Sequence, residues 1–443
     1  MKVLDLFAGC GGLSLGFRTA GFEILNHIEL ERSSYETASL NVKTLDPENG
    51  CLDIHNFSMK HRDDCDVVIG GPPCQAYSMA GRGKLASVMG IGNAHLADSR
   101  SELYREYLRI VREAKPRAVL MENVPEIISY GGLDIPNFIC NALSRAGYRC
   151  KFTILNAAEY GVPQYRERFF LIAIRNDTGG NPVFPFPTHQ ILSDRQGFRA
   201  RIQNYIKDNG SRFASAPPHG PNYDMLPESI TAYEALNDLP YLTTQNGSPW
   251  LYRNSTPLPY SSQPHSAYAR FMRSWPGLPV STEATANGCR NTPRDFPIFK
   301  AMNEGDTYPE AHSIALKLYN QKLDTYEITS GRPPGDEDKE RIKKETVPPY
   351  DTGKFTDKWR KLDRNRPSHT VVAHLSVDTY SHIHYDNTQA RAITVREAAR
   401  LQSFPDSFKF PVSLAEAYKQ IGNAVPPLLA YHLARAVKNT LHQ

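Results

Sequence analysis

Val3–Phe7 is a strand-length run that is apolar except for Asp5, and the chain turns straight out of it through Ala8-Gly9-Cys10-Gly11-Gly12. A helical segment, Leu13–Ala20, follows, and then a second strand-length run, Phe22–Ile28, that ends at Glu29. This order of strand, glycine turn, helix and strand constrains the fold more than any other feature. Glycines between a parallel strand and its helix let the backbone approach a ligand closely. The alternation continues with a helix at Ser34–Asn41 and a strand at Val67–Ile69. Ser101–Ala114 reads as an amphipathic helix with Leu103, Tyr107, Ile110 and Val111 on one face, and Ala118–Met121 and Phe169–Ile174 as further strands. The pattern predicts an α/β fold, a doubly wound, mostly parallel Rossmann-like sheet, over residues 1–180.

From Asn181 the character changes. Proline, Asn, Ser and Tyr become frequent, as in Phe184-Pro185-Phe186-Pro187 and Ala216-Pro217-Pro218-His219-Gly220-Pro221. We read 181–392 as a second, irregular domain inserted into the first, with Gly331–Glu345 as a charged, solvated loop or helix face. Order returns over 393–443, where Thr394 and Glu397 form a capping-box pattern and Ala424–Leu441 reads as a last helix. A length of 443 residues fits two domains.

Composition narrows the partners. A formal charge of +4 permits a nucleic acid without demanding one. No apolar run is long enough to span a membrane, and the chain enters a strand at once, which leaves no room for a signal peptide. Seven cysteines, an odd number with no Cys-x-x-Cys pair, point to neither a disulfide framework nor a zinc site and fit a reducing cytoplasm.

Two constellations carry chemistry. Asp66-Val67-Val68-Ile69 is a buried strand stopped by Gly70-Gly71-Pro72-Pro73, which leaves Cys74 on a stiff turn at the sheet's carboxyl edge. A thiol there is placed to act as a nucleophile, although a lone Cys reads more readily as a small buried hydrophobe. At the first turn, the glycine spacing departs from Gly-x-Gly-x-x-Gly, so a dinucleotide is not the best fit. S-adenosylmethionine, with a ribose and no phosphate, suits the same architecture. Glu29 would accept from the ribose hydroxyls, Asp53 from the adenine amine, and Ile54 would lie on the ring face, closing a third strand–loop unit.

With these residues in view, the sequence resembles the DNA cytosine-5 methyltransferases. Asp5–Gly12 is similar to their cofactor-binding glycine motif, Pro73-Cys74-Gln75 to their nucleophile motif, and Glu122-Asn123-Val124 to their Glu-Asn-Val motif. Gln164-Tyr165-Arg166-Glu167-Arg168 is similar to Gln-x-Arg-x-Arg, Arg366–Thr370 to the block after the variable region, and Gln420–Pro426 to the closing Gly-Asn motif. Six blocks in the family's order flank nearly the whole chain, and 181 to about 360 corresponds to the target-recognition region.

The resemblance implies Cys74, Glu122, Arg166 and Arg168 as catalytic residues, with Glu122 on N3 and the amino group of cytosine, Arg168 on its carbonyl oxygen and Arg166 in support. It implies S-adenosylmethionine as cofactor and S-adenosylhomocysteine as product, with no metal. The cofactor contacts it implies are Phe7, Gly9, Cys10, Gly11, Gly12 and Glu29 from the first half of the sheet. Leu30, Asp53, Ile54, Gly71 and Pro73 follow, and Leu103, Asn423 and Val425 complete the set. The base must be flipped from duplex DNA, with Met79–Ser99 closing over it and Gln75, Ser78, Arg82, Lys84 and Arg100 as DNA contacts. Arg290, Arg294 and Lys300 are candidate DNA contacts of the second domain. The expected setting is a monomer in the cytoplasm of a bacterial or phage-infected cell, with a cognate restriction endonuclease as a genetic rather than physical partner. A tRNA methyltransferase on the same motifs is a rival, but Pro125-Glu126-Ile127 stands where that branch carries Cys-Phe-Thr. A catalytically silent DNA-binding module is another, and the intact Cys74, Glu122, Arg166 and Arg168 speak against it.

Overall fold

The structure, a computed structural model, describes every residue except 48, 60–64, 74–102, 130–133, 192–196, 244–255 and 443. The chain divides into two compact units. The first comprises Met1–Ile230, Gln402–Phe404 and Asn423–Gln443; the second comprises Thr231–Leu401 and Pro405–Gly422. Residues 181–230 thus fall in the first unit, beyond the boundary at 180 that composition had suggested. Phe152 and Phe213 explain this, because the amide of Phe152 bonds the carbonyl of Phe213 at 3.0 Å and stitches the later segment to the sheet.

In the first unit, β1 (Lys2–Leu6) leads to α1 (Gly12–Thr19), β2 (Glu23–Ile28) to α2 (Arg32–Asn41), and β3 (Val67–Gly70) precedes α3 (Leu103–Ala114). β4 (Ala118–Asn123), α4 (Ile135–Arg145), β5 (Tyr148–Asn156), β6 (Glu167–Arg175) and α5 (Gly197–Asn209) follow. The six strands form one sheet in the order β2-β1-β3-β4-β6-β5. β2, β1, β3 and β4 run parallel, and β6 is antiparallel to both β4 and β5. This is a Rossmann-like α/β sheet. α4 and β5 went unread in the sequence, because charged Arg149 and Lys151 interrupt the apolar run of β5. Among the described residues no third strand ends at Asp53; the segment after α2 makes single bridges, Thr44 with Ile24 and Cys51 with Glu29.

The core follows from the helix pattern. On α3, Tyr107, Ile110 and Val111 are fully buried and pack with Val68, Val119, Met121 and Leu171 of the sheet. Each such side chain contributes about 1.5–3 kcal/mol on burial. The Tyr107 hydroxyl donates to the Leu120 carbonyl at 2.9 Å, so its polar end is satisfied inside the core.

The second unit is less irregular than its composition implies. It holds α6 (Ala232–Leu236), α7 (Ala267–Arg273), α8 (Phe296–Ala301), α9 (Tyr308–Ser330), α10 (Asp336–Lys344), α11 (Val395–Leu401) and most of α12 (Leu414–Asn423). α9 begins with a Thr307–Glu310 capping box and Pro309 in its first turn, and ends on Gly331 in the left-handed region at φ 68°. Its own aromatic core joins Phe299, Tyr308, Trp359 and Tyr380, with the last two rings stacked at 4.7 Å. The last helix, α13 (Pro427–Leu441), belongs to the first unit. Among the described residues no helix is long and apolar enough to cross a membrane.

Candidate active site

Strand direction assembles the site. β1 to β4 are parallel, so the residues after each of them emerge on one sheet edge. β6 is antiparallel and enters that same edge at its amino end, with Glu122 opposite Phe170 and Asn123 opposite Phe169. Two chain-distant segments, Glu122-Asn123 and Arg166-Glu167-Arg168, therefore meet beside Gly71-Pro72-Pro73.

Arg168 Nε lies 3.1 Å from Glu122 Oε1, with the two side chains 14% and 13% exposed. Burial pushes the Glu122 carboxyl above its usual range, and the Arg168 and Arg166 guanidiniums pull against that shift without cancelling it. A carboxyl so placed holds a proton more readily than an ordinary Glu. Gly71 leaves it room, since a Cβ at Gly71 would come within 2.7 Å of Glu122 Oε2. Asn123 went unread as a separate site residue. Its Nδ2 donates to the Pro72 carbonyl at 3.2 Å and its Oδ1 accepts from the Val124 amide at 2.8 Å, pinning the proline turn to β4. Only the fold places that buried amide next to a proline carbonyl.

Arg166 is fully buried and donates through Nη2 to the Ala424 carbonyl at 2.9 Å. Burial pushes its guanidinium down, Arg168 adds to that, and Glu122 opposes it. Arg168 also donates to the Glu167 carbonyl at 2.6 Å. Cys74, Gln75, Ser78, Arg82, Lys84 and Arg100, with the segment Met79–Ser99, lie outside the described residues.

At the neighbouring turn, Phe7 sits at φ 59°, a left-handed backbone that a bulky residue adopts only when its surroundings impose it. Gly9, at φ 54°, has nothing within 4 Å of where a Cβ would stand. A Cβ on Gly12 would lie 2.3 Å from the Val425 carbonyl, so the turn is drawn against the chain before α13. Glu29 is partly buried; Oε2 accepts from the Gly9 amide at 2.8 Å and Oε1 from the Glu31 amide at 2.8 Å. Next to it Leu30 is 69% exposed. An open glycine cradle, a fixed carboxylate and an exposed apolar side chain fit the ribose and base of a nucleoside. The buried Asp5 carboxyl, which accepts from Ser14 Oγ at 2.6 Å, braces the turn from beneath.

The remaining expected contacts are placed unevenly. Asp53 Oδ1 accepts from the His55 amide at 3.0 Å and meets His55 Nδ1 at 2.7 Å. Ile54 is buried at 5% exposure in the core, so little of it is free to cover a ring. Cys10 is buried too, and burial pushes its thiol up to about 12. Gly11 is buried at the entry to α1, while Leu103 is half-buried, Pro73 exposed and Val425 buried. Asn423 is exposed and closes α12 rather than standing in the turn. In the second unit, Arg294 pairs with Asp295 at 2.6 Å and Arg290 donates to the Ser376 carbonyl, so both are engaged within the unit.

A family profile described as C-5 cytosine-specific DNA methylase matches residues 1–439. The chain is similar to a protein of Oceanobacillus iheyensis named as a candidate type II methyltransferase, M.OihORF3336P, at 42% identity over 99% of this chain and 96% of that one. It is similar to the type II methyltransferase M.AgeI of Thalassovita gelatinovora at 32% identity, covering 99% of each. Among solved structures, a candidate DNA modification methyltransferase encoded within an E. coli prophage superposes with a TM-score of 0.63 at 21% identity, covering 100% of both chains, which is a likeness of fold.

Proposed function

The chain belongs to the C-5 cytosine-specific DNA methylase family, and on that footing we propose that Cys74, Glu122, Arg166 and Arg168 carry out the methylation of C5 of a cytosine flipped out of a short duplex sequence. The protein is a DNA (cytosine-5-)-methyltransferase, and its family uses S-adenosylmethionine. That cofactor, when bound, supplies the electrophilic sulfonium methyl; Phe7, Gly9, Gly12, Glu29 and Leu30 are the residues that would hold its nucleoside.

Cytosine C5 is a poor nucleophile, and the protein's task is to change that. The Cys74 thiolate adds to C6, forming a C–S bond and shifting the ring electrons so that C5 gains enamine character. Glu122 holds a proton at N3 while this charge builds, and its raised pKa suits it to share one. Arg168, at 3.1 Å from Glu122, orients the carboxyl and faces the base carbonyl oxygen. Once C5 carries its methyl group, its proton leaves to water, the C–S bond breaks with both electrons returning to sulfur, and the aromatic ring is restored. The second unit is the reader of the DNA sequence in this proposal, and a restriction endonuclease of the same specificity is the genetic partner.

The observation that carries the reading is the Glu122–Arg168 contact beside Pro72-Pro73, which Cys74 follows in the sequence. Methylation sequencing of plasmid DNA from an expressing strain identifies the site. Duplex DNA with 5-fluorocytosine at that site should then trap a covalent complex, and trapping that persists in Cys74→Ala would overturn the mechanism.

A further inference from the structure

Three consecutive residues, Gln402-Ser403-Phe404, belong to the first unit although the residues on either side of them belong to the second. They are buried, and each meets a different part of the first unit. Gln402 Nε2 donates to the Ala424 carbonyl at 2.6 Å, and Gln402 Oε1 accepts from Gln164 Nε2. Ser403 Oγ accepts from the Leu428 amide at 3.1 Å, in the first turn of α13. The Phe404 ring lies 3.5 Å from the Cβ position of Gly12 in the cofactor turn. Ser403 stands at φ 61°, an unfavourable backbone for a non-glycine residue, which is how three successive side chains reach three targets.

The Ala424 carbonyl is the meeting point. It accepts from Gln402 Nε2 and from Arg166 Nη2, at 2.6 and 2.9 Å. A carbonyl with two lone pairs serves two donors, so fixing that oxygen with one donor fixes the direction available to the other. Arg166 is fully buried, and its charge acts on Glu122. From this geometry we infer that Gln402 is a positioning residue for methyl transfer, which orients the Arg166 guanidinium through the shared Ala424 carbonyl. The inference rests on the assignment of Arg166 to the base-holding set.

The test uses the full-length enzyme and Gln402→Met, which keeps the side chain's length and volume but removes both hydrogen bonds. Active sites are counted by S-adenosylhomocysteine binding, and each single-turnover rate is divided by that count. The expected result is a fall in methyl transfer and in 5-fluorocytosine trapping of about tenfold, within the range that small misplacements produce, with cofactor Kd and the KM for DNA within twofold of wild type. A merely structural role would lower the binding count and leave the rate per active site unchanged, and that result overturns the inference, as does a wild-type rate. Gln402→Asn, polar but too short to reach Ala424, carries the same expectation should the Met variant not fold; if neither folds, Gln402 is a packing residue and the inference is wrong. Arg166→Lys separates the two levels. Wild-type turnover there defeats the assignment of Arg166 itself, whereas a loss in Arg166→Lys with none in Gln402→Met defeats the positioning role alone.

Discussion

In the mechanism proposed above, a single carboxyl carries most of the chemistry besides that of Cys74. Glu122 is buried enough to be pushed above its usual range, and the Arg168 and Arg166 guanidiniums oppose that shift. Replacing it by Gln keeps the shape and removes the shared proton. Glu122→Gln should lower turnover by about 10²- to 10⁴-fold, the range for loss of a positioned acid or base, with cofactor Kd within twofold; a variant above a tenth of wild-type turnover would contradict its role. The sequence made Glu122, Arg166 and Arg168 legible as residue types, through motif order. It did not make their partners legible. Nothing in the chain near Arg166 points to Ala424, and nothing near Asn123 points to Pro72, because the first pair depends on the chain before α13 returning to the first unit and the second on β3 lying beside β4. The strained Phe7 is similar: its motif is visible, but its positive φ is not.

Among elements, α11 shows how a helix can be read at its start and missed in its purpose. Thr394 and Glu397 form the expected capping box, with the Thr394 amide 2.7 Å from Glu397 Oε2 and the Glu397 amide 3.1 Å from Thr394 Oγ1. Every residue of the helix is buried, arginines included. Arg400 binds Asp406 at 2.5 Å and Asp238, just after α6, at 3.0 Å, and also donates to the Ala235 carbonyl at 2.8 Å. Arg273 of α7 reaches the same Asp238. One guanidinium thus ties α6, α7 and α11 together inside the second unit. Arg400→Met should destabilise that unit by about 3–5 kcal/mol, because buried Asp406 loses its guanidinium and buried Asp238 keeps only that of Arg273. Urea unfolding followed by tryptophan fluorescence measures this, and a midpoint unchanged from wild type would show that the network is dispensable. The 23-residue α9 escaped the sequence for the opposite reason: beyond Ala315 most of it is exposed, so no apolar stripe marks it. Strands β1, β3 and β4 were legible because both of their faces are covered, which makes them short continuous apolar runs.

At the scale of the whole molecule, the two units carry buried carboxyls with opposite responses to pH. In the first, burial pushes Asp5 up to about 7 from an ordinary 3.8, with the Ser14 hydrogen bond opposing and the Glu29 charge adding. Its folded pKa exceeds its unfolded one, so the folded state binds more protons between those values. The contribution is therefore fully present below about 3.8 and is lost as pH rises towards 7. In the second unit, burial alone would raise Glu397, but the Arg391 guanidinium, bound at 2.7 Å through both oxygens, outweighs it and brings the carboxyl down to about 2 from 4.5. That contribution, of order 3 kcal/mol by linkage, is present above 4.5 and is lost as pH falls towards 2. Trp275 and Trp359 are buried in the second unit, so their fluorescence follows it, while amide exchange over β1 and β3 follows the first. Glu397→Gln should flatten the acid limb of the fluorescence transition, and Asp5→Asn should flatten the loss of β1 protection between pH 4 and 7 once the intrinsic base-catalysed exchange rate is divided out. Each substitution should leave the other probe's pH dependence unaltered; a change that crosses from one probe to the other would mean that the two units do not unfold as separate bodies.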